Sequence, residues 1–340
     1  MDPNARYVQE KEETLTTKPE RRILITGGAG FLGVNAAVHL IKEGWAATLL
    51  DNLSRPGTER NLKWLITRYP NRTTFIKEDV RNAAALAEHV RDQDAILHLA
   101  GQVAVTTSLV DPNTDFDVNA RGTLNMLEAV RVHNHDAPFV FASTNKVYGK
   151  LDHSNSACKE TQPIDFHSPY GCSKGAADQY VRDYARCFGM NTVVLRQSCI
   201  YGSHQYGTED QGWVAHFVHS ILKNRGLTIY GDGTQVRDLL DARDLGALYA
   251  IVIDKIGITR GEIYNVGGGT ENQRNLLEVI DQISELTGKK PQFKFADWRE
   301  GDQAFYVSDI EKARRDLGWV PKVDFDRGLR DLVAWAESVN

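Results

Sequence analysis

The sequence predicts an α/β protein whose first part is a doubly wound parallel sheet. Short apolar runs alternate with amphipathic stretches from Arg22 onward, which is typical of repeated βαβ units. The apolar runs lack strict polar alternation, as expected of strands that helices cover on both faces. A glycine-rich turn, TGGAGFLG, joins the first run to the first amphipathic stretch. Together these observations indicate a Rossmann-type domain, followed by a smaller C-terminal α/β domain.

The elements of the first domain follow one another in a regular order. Residues 1–20 hold scattered charges and no apolar run, so we expect a flexible tail there. Strand-like runs then appear as RILIT, AATLLDN, TTFIKEDV, DAILHLA, APFVFAST and TVVLRQS, with helical patterns between them. We therefore assign residues 21–198 to the Rossmann domain.

The alternation loosens in the last part of the chain. Glycines and charged residues interrupt it, and helical patterns occur at 213–224 and 275–287. We expect residues 199–340 to form mainly a substrate-binding domain. A strand-like segment within 239–265 is expected to return to the first sheet.

Composition excludes several classes of function. The net charge is −5, with Lys and Arg spread along the chain, so no basic stripe suits nucleic acid. No apolar run is long enough to predict a membrane-spanning helix. The four cysteines show neither CxxC spacing nor a neighbouring His cluster, so we predict no metal site and a reducing, cytoplasmic location.

The glycine-rich turn predicts a dinucleotide site. Gly27, Gly30 and Gly33 follow a predicted strand directly and open a predicted helix. Such glycines permit a tight turn, let the backbone approach a pyrophosphate and leave helix N–H groups facing the anion. An isolated pattern of this kind would more often be an ordinary turn.

Asp51 strengthens this interpretation. It ends the second predicted strand roughly 20 residues after the glycines, where an acid accepts hydrogen bonds from a ribose hydroxyl pair. Its charge would repel a 2′-phosphate, which favours NAD over NADP, although Arg55 nearby would soften that repulsion. The alternative is a turn residue at a strand end.

A second motif predicts acid–base chemistry. Tyr170 and Lys174 lie one helical turn apart in SPYGCSKGAADQYVRDYA, so their side chains share one helix face. An ammonium group stabilises a phenolate, which makes a tyrosine a general base. Thr144, at the end of a predicted strand, would add a hydroxyl near the reacting oxygen. Taken alone, the pair also fits a solvated helix face, and Thr144 a turn residue.

These motifs together resemble the extended short-chain dehydrogenase/reductase family of nucleotide-sugar enzymes. The resemblance runs from about Arg22 to the end of the chain. The segments that carry it are TGGAGFLG, DN at 51–52, HLAG, VNARGTLNMLEA, STNKVYG, YGCSK and GDGTQVRD. Many members carry Asn in an R-x-x-N-x-YG segment, whereas RQSCIYG has Cys199 here.

The resemblance implies a role for each of several residues. The catalytic triad would be Thr144, Tyr170 and Lys174. NAD would contact, besides Tyr170 and Lys174, a set of residues on the first four strand ends and nearby: Gly27, Gly30, Phe31, Leu32, Gly33, Asp51, Asn52, Asp79, Val80, Leu99, Ala100, Gly101, Asn119 and Ser143. The nucleotide-sugar substrate would contact Gln102, Thr144, Asn145, Gln211, Trp213, Arg237, Arg299 and Asp302.

Asn145 and Lys146 narrow the reaction. Related 4,6-dehydratases place Asp-Glu after the threonine, because eliminating water requires a carboxylic acid and a carboxylate. An amide and an ammonium cannot fill those roles, so we predict hydride chemistry without elimination. Within the family the segments GQVAVTTS, STNKVYG and DQGWV most resemble epimerases that invert C2 of a CDP-sugar. The C2 hydroxyl would be oxidised to a ketone and reduced again from the other face.

Two other functions stay open at this point. One is a 4-epimerase of a UDP-sugar, which would use the same triad with another sugar orientation. The other is a non-catalytic protein that senses a dinucleotide, although such a protein needs no complete triad. The resemblance also implies a homodimer through helices at about 114–132 and 169–188.

Overall fold

The computed structural model describes residues 21–151 and 156–340. The predicted tail, residues 1–20, lies outside the described residues. Within the two described ranges, no helix is both long and apolar enough to cross a membrane.

Seven parallel strands form the sheet of the N-terminal lobe. They are β1 (Arg21–Thr26), β2 (Trp45–Asp51), β3 (Thr73–Lys77), β4 (Ala95–His98), β5 (Phe139–Thr144), β6 (Thr192–Gln197) and β10 (Ile263–Val266). Their spatial order is β10-β6-β5-β4-β1-β2-β3, and every neighbouring pair is parallel. The predicted doubly wound α/β fold is confirmed.

Helices cover both faces of this sheet. They include α1 (Phe31–Lys42), α2 (Thr58–Arg68), α3 (Ala83–Val90), α6 (Gly122–His133), α7 (Pro169–Cys187) and α9 (Ala242–Asp254). In β1, Ile23 and Ile25 enter the core beneath α1 and α9, whereas Leu24 enters the core beneath α3, α6 and α7. Successive side chains of a strand point to opposite faces, and both faces are buried here, so the strands read as continuous apolar runs.

Short helices connect the sheet to the site. They are α4 (Val105–Val110), α5 (Pro112–Phe116), a π-helical turn (Asp117–Arg121) that leads into α6, and a 3₁₀ turn (Asn145–Tyr148) after β5. The strand order reverses between β1 and β4, so the following loops diverge and leave a crevice at the carboxyl ends of these strands. Ligands of open α/β sheets bind at such a switch point.

The C-terminal lobe holds two small sheets. One contains β7 (Cys199–Tyr201), β9 (Val236–Asp241), β11 (Gln273–Asn275) and β13 (Phe305–Tyr306), and the other pairs β8 (Leu227–Tyr230) with β12 (Phe293–Ala296). Helices α8 (Trp213–Leu222), α11 (Leu276–Thr287) and α13 (Phe325–Val339) pack against them around a separate apolar core. The periodicity at 213–224 and 275–287 anticipates α8 and α11.

The chain crosses between the lobes more often than the sequence indicates. In the expected return segment, residues 239–241 belong to β9 of the C-terminal lobe, α9 packs on α1, and β10 joins the sheet beside β6. The helix α12 (Glu311–Leu317) then packs against β10, and Trp319 enters the N-terminal core. We still propose residue 198 as the boundary between the Rossmann domain and the mainly substrate-binding part of the chain.

Candidate active site

Glycines shape the turn between β1 and α1. Gly27 has φ +67°, and a Cβ placed there would lie 2.8 Å from the backbone nitrogen of Ala100. A Cβ on Gly33 would lie 2.4 Å from the carbonyl oxygen of Gly27, so the helix and the turn touch through this residue. Larger residues would therefore push the turn away from α1. The first N–H groups of α1 are left facing the crevice, as a pyrophosphate requires.

Asp51 ends β2 beside this turn. Its carboxylate accepts hydrogen bonds from the backbone N–H groups of Ala29, at 3.1 Å, and Leu53, at 2.8 Å. Burial raises the pKa of Asp51, while these hydrogen bonds and the charge of Arg55 act in the opposite direction. The acid is thus fixed at the edge of the crevice, and the cradle fits the ribose and pyrophosphate of a dinucleotide.

Three of the residues predicted to contact NAD, Asn52, Asp79 and Val80, lie at or just after the ends of β2 and β3. Asn52 donates a hydrogen bond of 2.8 Å to Asp79, and Arg81 contacts both oxygens of the same carboxylate. The Arg81 guanidinium holds the pKa of Asp79 well below its usual range. Val80 packs into the core beneath α3 and α6. Asn52 and Asp79 therefore form one rigid rim of the crevice.

His98 anchors the segment that faces the glycine turn. It is fully buried, with Nδ1 2.6 Å from the hydroxyl of Thr26 and Nε2 3.1 Å from the hydroxyl of Thr123. The Thr123 hydroxyl donates to the carbonyl oxygen of Asn119, so Nε2 must carry the imidazole proton and Nδ1 must accept one. Thr26 in turn accepts from the N–H of Ala100. Burial lowers the pKa of His98 to about 3, so the ring is neutral.

Gln102, which is predicted to contact the substrate, forms hydrogen bonds within its own turn. Its side chain donates to the carbonyl oxygen of Ala104 and to Asp115 and accepts from the N–H of Ala104, so it holds its own turn, and its contact with the substrate stays a prediction. The amide group of Asn119 accepts from the Gln102 N–H at 2.9 Å and donates to its carbonyl oxygen at 3.0 Å. Asn119 thereby fixes the loop after β4, next to Gly101.

Asp115 lies beneath this loop and was not anticipated. It is buried on α5 and accepts hydrogen bonds from Gln102, Asn119 and Ser173. Burial raises the pKa of Asp115, whereas its hydrogen bonds and the charge of Lys174 act in the opposite direction. The carboxylate joins α5, the π-helical turn and α7 under the candidate catalytic residues.

Thr144, Tyr170 and Lys174 meet at the carboxyl end of β5. Ser168 caps α7 by accepting from the Gly171 N–H, and Pro169 occupies its first turn, so the helix begins just before Tyr170. Burial raises the pKa of Tyr170 to about 12, while its hydrogen bond with Thr144 acts in the opposite direction. The predicted triad is assembled.

Lys174 is held away from water. Its Nζ donates a hydrogen bond of 2.6 Å to the carbonyl oxygen of Ala142 and lies 4.2 Å from the centre of the Phe141 ring. Burial lowers the pKa of Lys174 to about 7, although Asp178 and Asp115 favour its charged form. The charge of this lysine is therefore sensitive to any new anion at the site.

Ser143 faces an ion pair as well as the cavity. Its hydroxyl donates a hydrogen bond of 2.7 Å to Asp178, which also forms a buried two-point salt bridge with Arg196. The guanidinium of Arg196 donates further to the hydroxyl of Tyr148. The Ser143 hydroxyl, which is predicted to contact NAD, is thus hydrogen-bonded to α7 and links β5 to the helix that carries Tyr170.

A cavity of about 350 Å³ begins at this triad and lies between the lobes. Phe31, Leu32 and Leu99 form its border with the dinucleotide crevice. The cavity wall also contains six of the residues predicted to contact substrate besides Thr144, namely Asn145, Gln211, Trp213, Arg237, Arg299 and Asp302. The structure therefore brings those predicted contacts to one place.

Hydrogen bonds fix the wall of the cavity farther from the triad. The guanidinium of Arg299 stacks 3.8 Å from the centre of the Tyr230 ring. It also donates a hydrogen bond of 3.0 Å to the carbonyl oxygen of Glu209. Gln211 accepts a hydrogen bond of 3.0 Å from Arg55, which follows β2. The loop before α8 is thus tied to β8 on one side and to the N-terminal lobe on the other.

The middle of the wall carries opposite charges. Arg237 donates 2.7 Å to Asp302, and Lys146 lies 3.4 Å from the same carboxylate oxygen. Burial alone would raise the pKa of Asp302, but these two cations lower it. The thiol of Cys199 lies nearby in the wall and interacts with the Trp213 side chain, and burial raises its pKa.

Comparison with known families agrees with this arrangement. Residues 24–332 match the family model described as GDP-mannose 4,6 dehydratase. The chain belongs to this family of extended short-chain dehydrogenase/reductase enzymes. The names of its relatives cover both epimerases and dehydratases of nucleotide sugars.

Three relatives place the chain within the family. It is 41% identical to "CDP-paratose 2-epimerase" of Salmonella typhi over 94% of this chain and 100% of that one. It is 28% identical to a UDP-glucuronic acid 4-epimerase from Bacillus cereus in complex with UDP-glucuronic acid and NAD, with a TM-score of 0.86 over 94% and 100% of the chains. It is 30% identical to DesIV, a dTDP-glucose 4,6-dehydratase from Streptomyces venezuelae with NAD and TYD bound, with a TM-score of 0.84 over 93% and 97%.

Proposed function

We propose that the protein is an NAD-dependent epimerase that converts CDP-paratose into CDP-tyvelose by inverting C2. The observation that supports this most is the Thr144–Asn145–Lys146 sequence at the cavity, next to Tyr170 and Lys174. A dehydratase needs two acid–base groups beyond the triad, and an amide and an ammonium occupy the positions after Thr144. The likeness to CDP-paratose 2-epimerase supports the same reaction.

The dinucleotide crevice fits NAD. The glycine turn leaves no room for a Cβ at Gly27 or Gly33, and Asp51 provides ribose hydroxyls with a carboxylate whose charge would repel a 2′-phosphate. Bound there, NAD would supply a hydride acceptor and donor for C2 and would be regenerated in each turnover. Phe31, Leu32 and Leu99 would separate its nicotinamide end from bulk water.

Tyr170 would accept the proton of the C2 hydroxyl. With a pKa near 12 it holds its own proton at neutral pH, so it acts as a base only when nearby positive charge stabilises the phenolate. Lys174 lies one helical turn away on the same face of α7, and its ammonium donates a hydrogen bond to the carbonyl oxygen of Ala142. A phenolate would in turn raise the pKa of Lys174 above about 7, so the two groups reinforce one another.

Thr144 and Asn145 would hold the sugar oxygens. The Thr144 hydroxyl lies 3.3 Å from the amide oxygen of Asn145, and the Asn145 nitrogen lies 3.4 Å from Gln303. These long contacts leave the groups able to bind substrate oxygens more strongly. Inverting C2 requires the 2-keto sugar to rotate within the cavity so that its other face receives the hydride, while the nucleotide stays bound.

The test is to incubate purified protein with CDP-paratose and follow C2 by NMR, first without added NAD and then with it. Inversion supports the proposal, and inversion without added NAD shows that the protein carries its cofactor. No inversion under either condition overturns the substrate assignment. Tyr170→Phe should bind NAD normally but lose turnover, because the phenyl ring cannot accept a proton. Turnover retained in this variant would exclude Tyr170 as the base.

A UDP-sugar 4-epimerase is the second candidate. It is favoured by a relative named putative UDP-glucose 4-epimerase from Methanocaldococcus jannaschii, which is 32% identical over 94% of this chain and 99% of that one. Comparing products from CDP-paratose and UDP-glucose separates the two reactions. A non-catalytic sensor is disfavoured because the triad is complete.

We also propose that the protein is a cytoplasmic homodimer. Phe116 on α5 and Tyr180 on α7 are about half exposed, and Val110 at the end of α4 is 85% exposed. Phe116 and Tyr180 lie within the two ranges expected at the dimer interface, and Val110 lies just before the first of them, so pairing of these helices would cover apolar surface. Sedimentation that gives the monomer mass at micromolar concentration would exclude the dimer.

A further inference from the structure

Lys146 projects from the end of β5 into the cavity wall. Its backbone N–H donates to the hydroxyl of Thr144 at 3.2 Å, which starts the 3₁₀ turn and fixes the direction of the side chain. Its Nζ donates to the carbonyl oxygen of Gly301 at 3.1 Å and lies 3.4 Å from Asp302. Only 18% of its side-chain surface is exposed. The ammonium is thus held rigidly between the triad and Arg237.

The charges around Lys146 do not balance. A single carboxylate, Asp302, serves both Lys146 and Arg237, so two cations face one anion in a largely buried wall. Arg237 makes the closer contact, at 2.7 Å, and also donates to the backbone oxygens of Val236 and Gln303. An ammonium has three N–H donors, and Lys146 uses two of them here. The wall therefore favours an additional anion.

The position of this wall identifies the anion. The cavity wall contains the groups that would act on the sugar and also the aromatic ring of Tyr230 and the apolar side chain of Leu276, which would suit a nucleoside. A nucleotide sugar that spans the cavity would place its doubly charged pyrophosphate between them. Lys146 lies on the sugar side of that middle region and Arg237 beside it, which matches the order sugar, phosphate, nucleoside.

We propose that Lys146 is a substrate-positioning residue that binds the phosphate next to the sugar, together with Arg237. This rests on the proposed function as far as the sugar is concerned, but phosphate binding itself requires no turnover. Holding that phosphate would keep the nucleotide in place while the 2-keto sugar turns about its bond to the phosphate. A dehydratase would need a carboxylate at this position. The lysine found here would instead hold the phosphate while the sugar rotates.

The experiment measures binding of CDP, UDP and cytidine to the NAD-loaded protein by calorimetry. Lys146→Met should raise the Kd of CDP and of UDP about ten-fold or more, since a charged hydrogen bond is lost, and should leave the Kd of cytidine unchanged. Lys146→Arg should restore most of the CDP affinity. Lys150→Met, which removes an exposed lysine from the same segment, is the matched control and should bind all three ligands as the parent does.

Other results would overturn the proposal. If Lys146→Met weakened CDP and cytidine equally, the lysine would only hold the segment of Gly301 and Asp302. If CDP binding stayed unchanged while turnover of CDP-paratose fell, Lys146 would contact the sugar and not the phosphate. CDP binding that depends on Lys146 in a protein that does not invert CDP-paratose would support this inference and refute the substrate assignment alone.

Discussion

Acidification should destabilise the protein through His98. The ring is fully buried and hydrogen-bonded in its neutral form between Thr26 and Thr123, and its pKa is lowered to about 3. In the unfolded chain the same ring titrates near its usual value of about 6.5. Because the folded pKa is the lower one, the unfolded state binds more protons between these values. Stability is therefore present above pH ~6.5 and is lost as the pH falls toward ~3.

The size of the loss follows from the two pKa values. Between pH 7 and pH 5 the imidazole of the unfolded chain is protonated over roughly 1.5 pH units, whereas His98 in the folded protein stays neutral. Each of these units is worth about 1.36 kcal/mol of free energy. His98 should thus reduce the free energy of unfolding by about 2 kcal/mol over this range. Urea unfolding at both pH values measures the change in the parent and in His98→Gln, whose amide can still donate to Thr123.

The comparison isolates His98 from the other histidines. The loss on acidification should be about 2 kcal/mol smaller in His98→Gln than in the parent, because all other groups are shared. His135→Gln is the control of opposite sign, since Asp136 and the carbonyl oxygen of Phe188 raise the pKa of His135. An equal loss in parent and His98→Gln would refute the neutral buried ring. If the variant fails to fold, the His98 ring resonances of the parent should stay unshifted down to pH 5.

Three further predictions concern the glycine turn, a buried ion pair and the sugar site. Gly33→Ala should weaken NAD binding at least ~10-fold, measured by calorimetry, because its Cβ would lie 2.4 Å from the Gly27 carbonyl oxygen; unchanged binding would contradict the tight turn. Asp178→Asn should lower the free energy of unfolding by about 3–5 kcal/mol in urea, since it leaves Arg196 buried without its anion, and a loss under ~1 kcal/mol would contradict this. Asn145→Ala should reduce kcat about 10-fold in the NMR assay with little change in NAD affinity, and normal turnover and substrate binding would exclude its contact with the sugar.

The sequence predicts those parts of the fold that depend on local pattern. Apolar runs such as RILIT mark the strands, and the glycines after β1 mark the turn, because both follow from the conformations of neighbouring residues. The place of α12 and Trp319 in the N-terminal core was not predicted. That contact joins residues far apart in the chain, and the helix itself is short and carries several charges.

The site shows the same limit. Thr144, Tyr170 and Lys174 were predicted from motifs, since strand ends and one helix face bring them together. The sequence does not show that the Gln102 side chain folds back onto its own turn, because that conformation depends on a hydrogen bond to Asp115. The salt bridge between Lys146 and Asp302 is equally hidden in the sequence, because the two residues meet only when both lobes have formed.

The late position of β10 in the chain has a consequence for synthesis on the ribosome. Until residues 263–266 emerge, β6 is the edge of the sheet, and all six of its residues, Thr192–Gln197, are ones that the finished protein buries. The nascent chain must keep the unpaired backbone groups of this strand from pairing with other chains while some 70 further residues are made. A fragment ending near residue 198 would keep that unpaired strand permanently and should aggregate. The N-terminal lobe therefore needs the later part of the chain to complete its sheet.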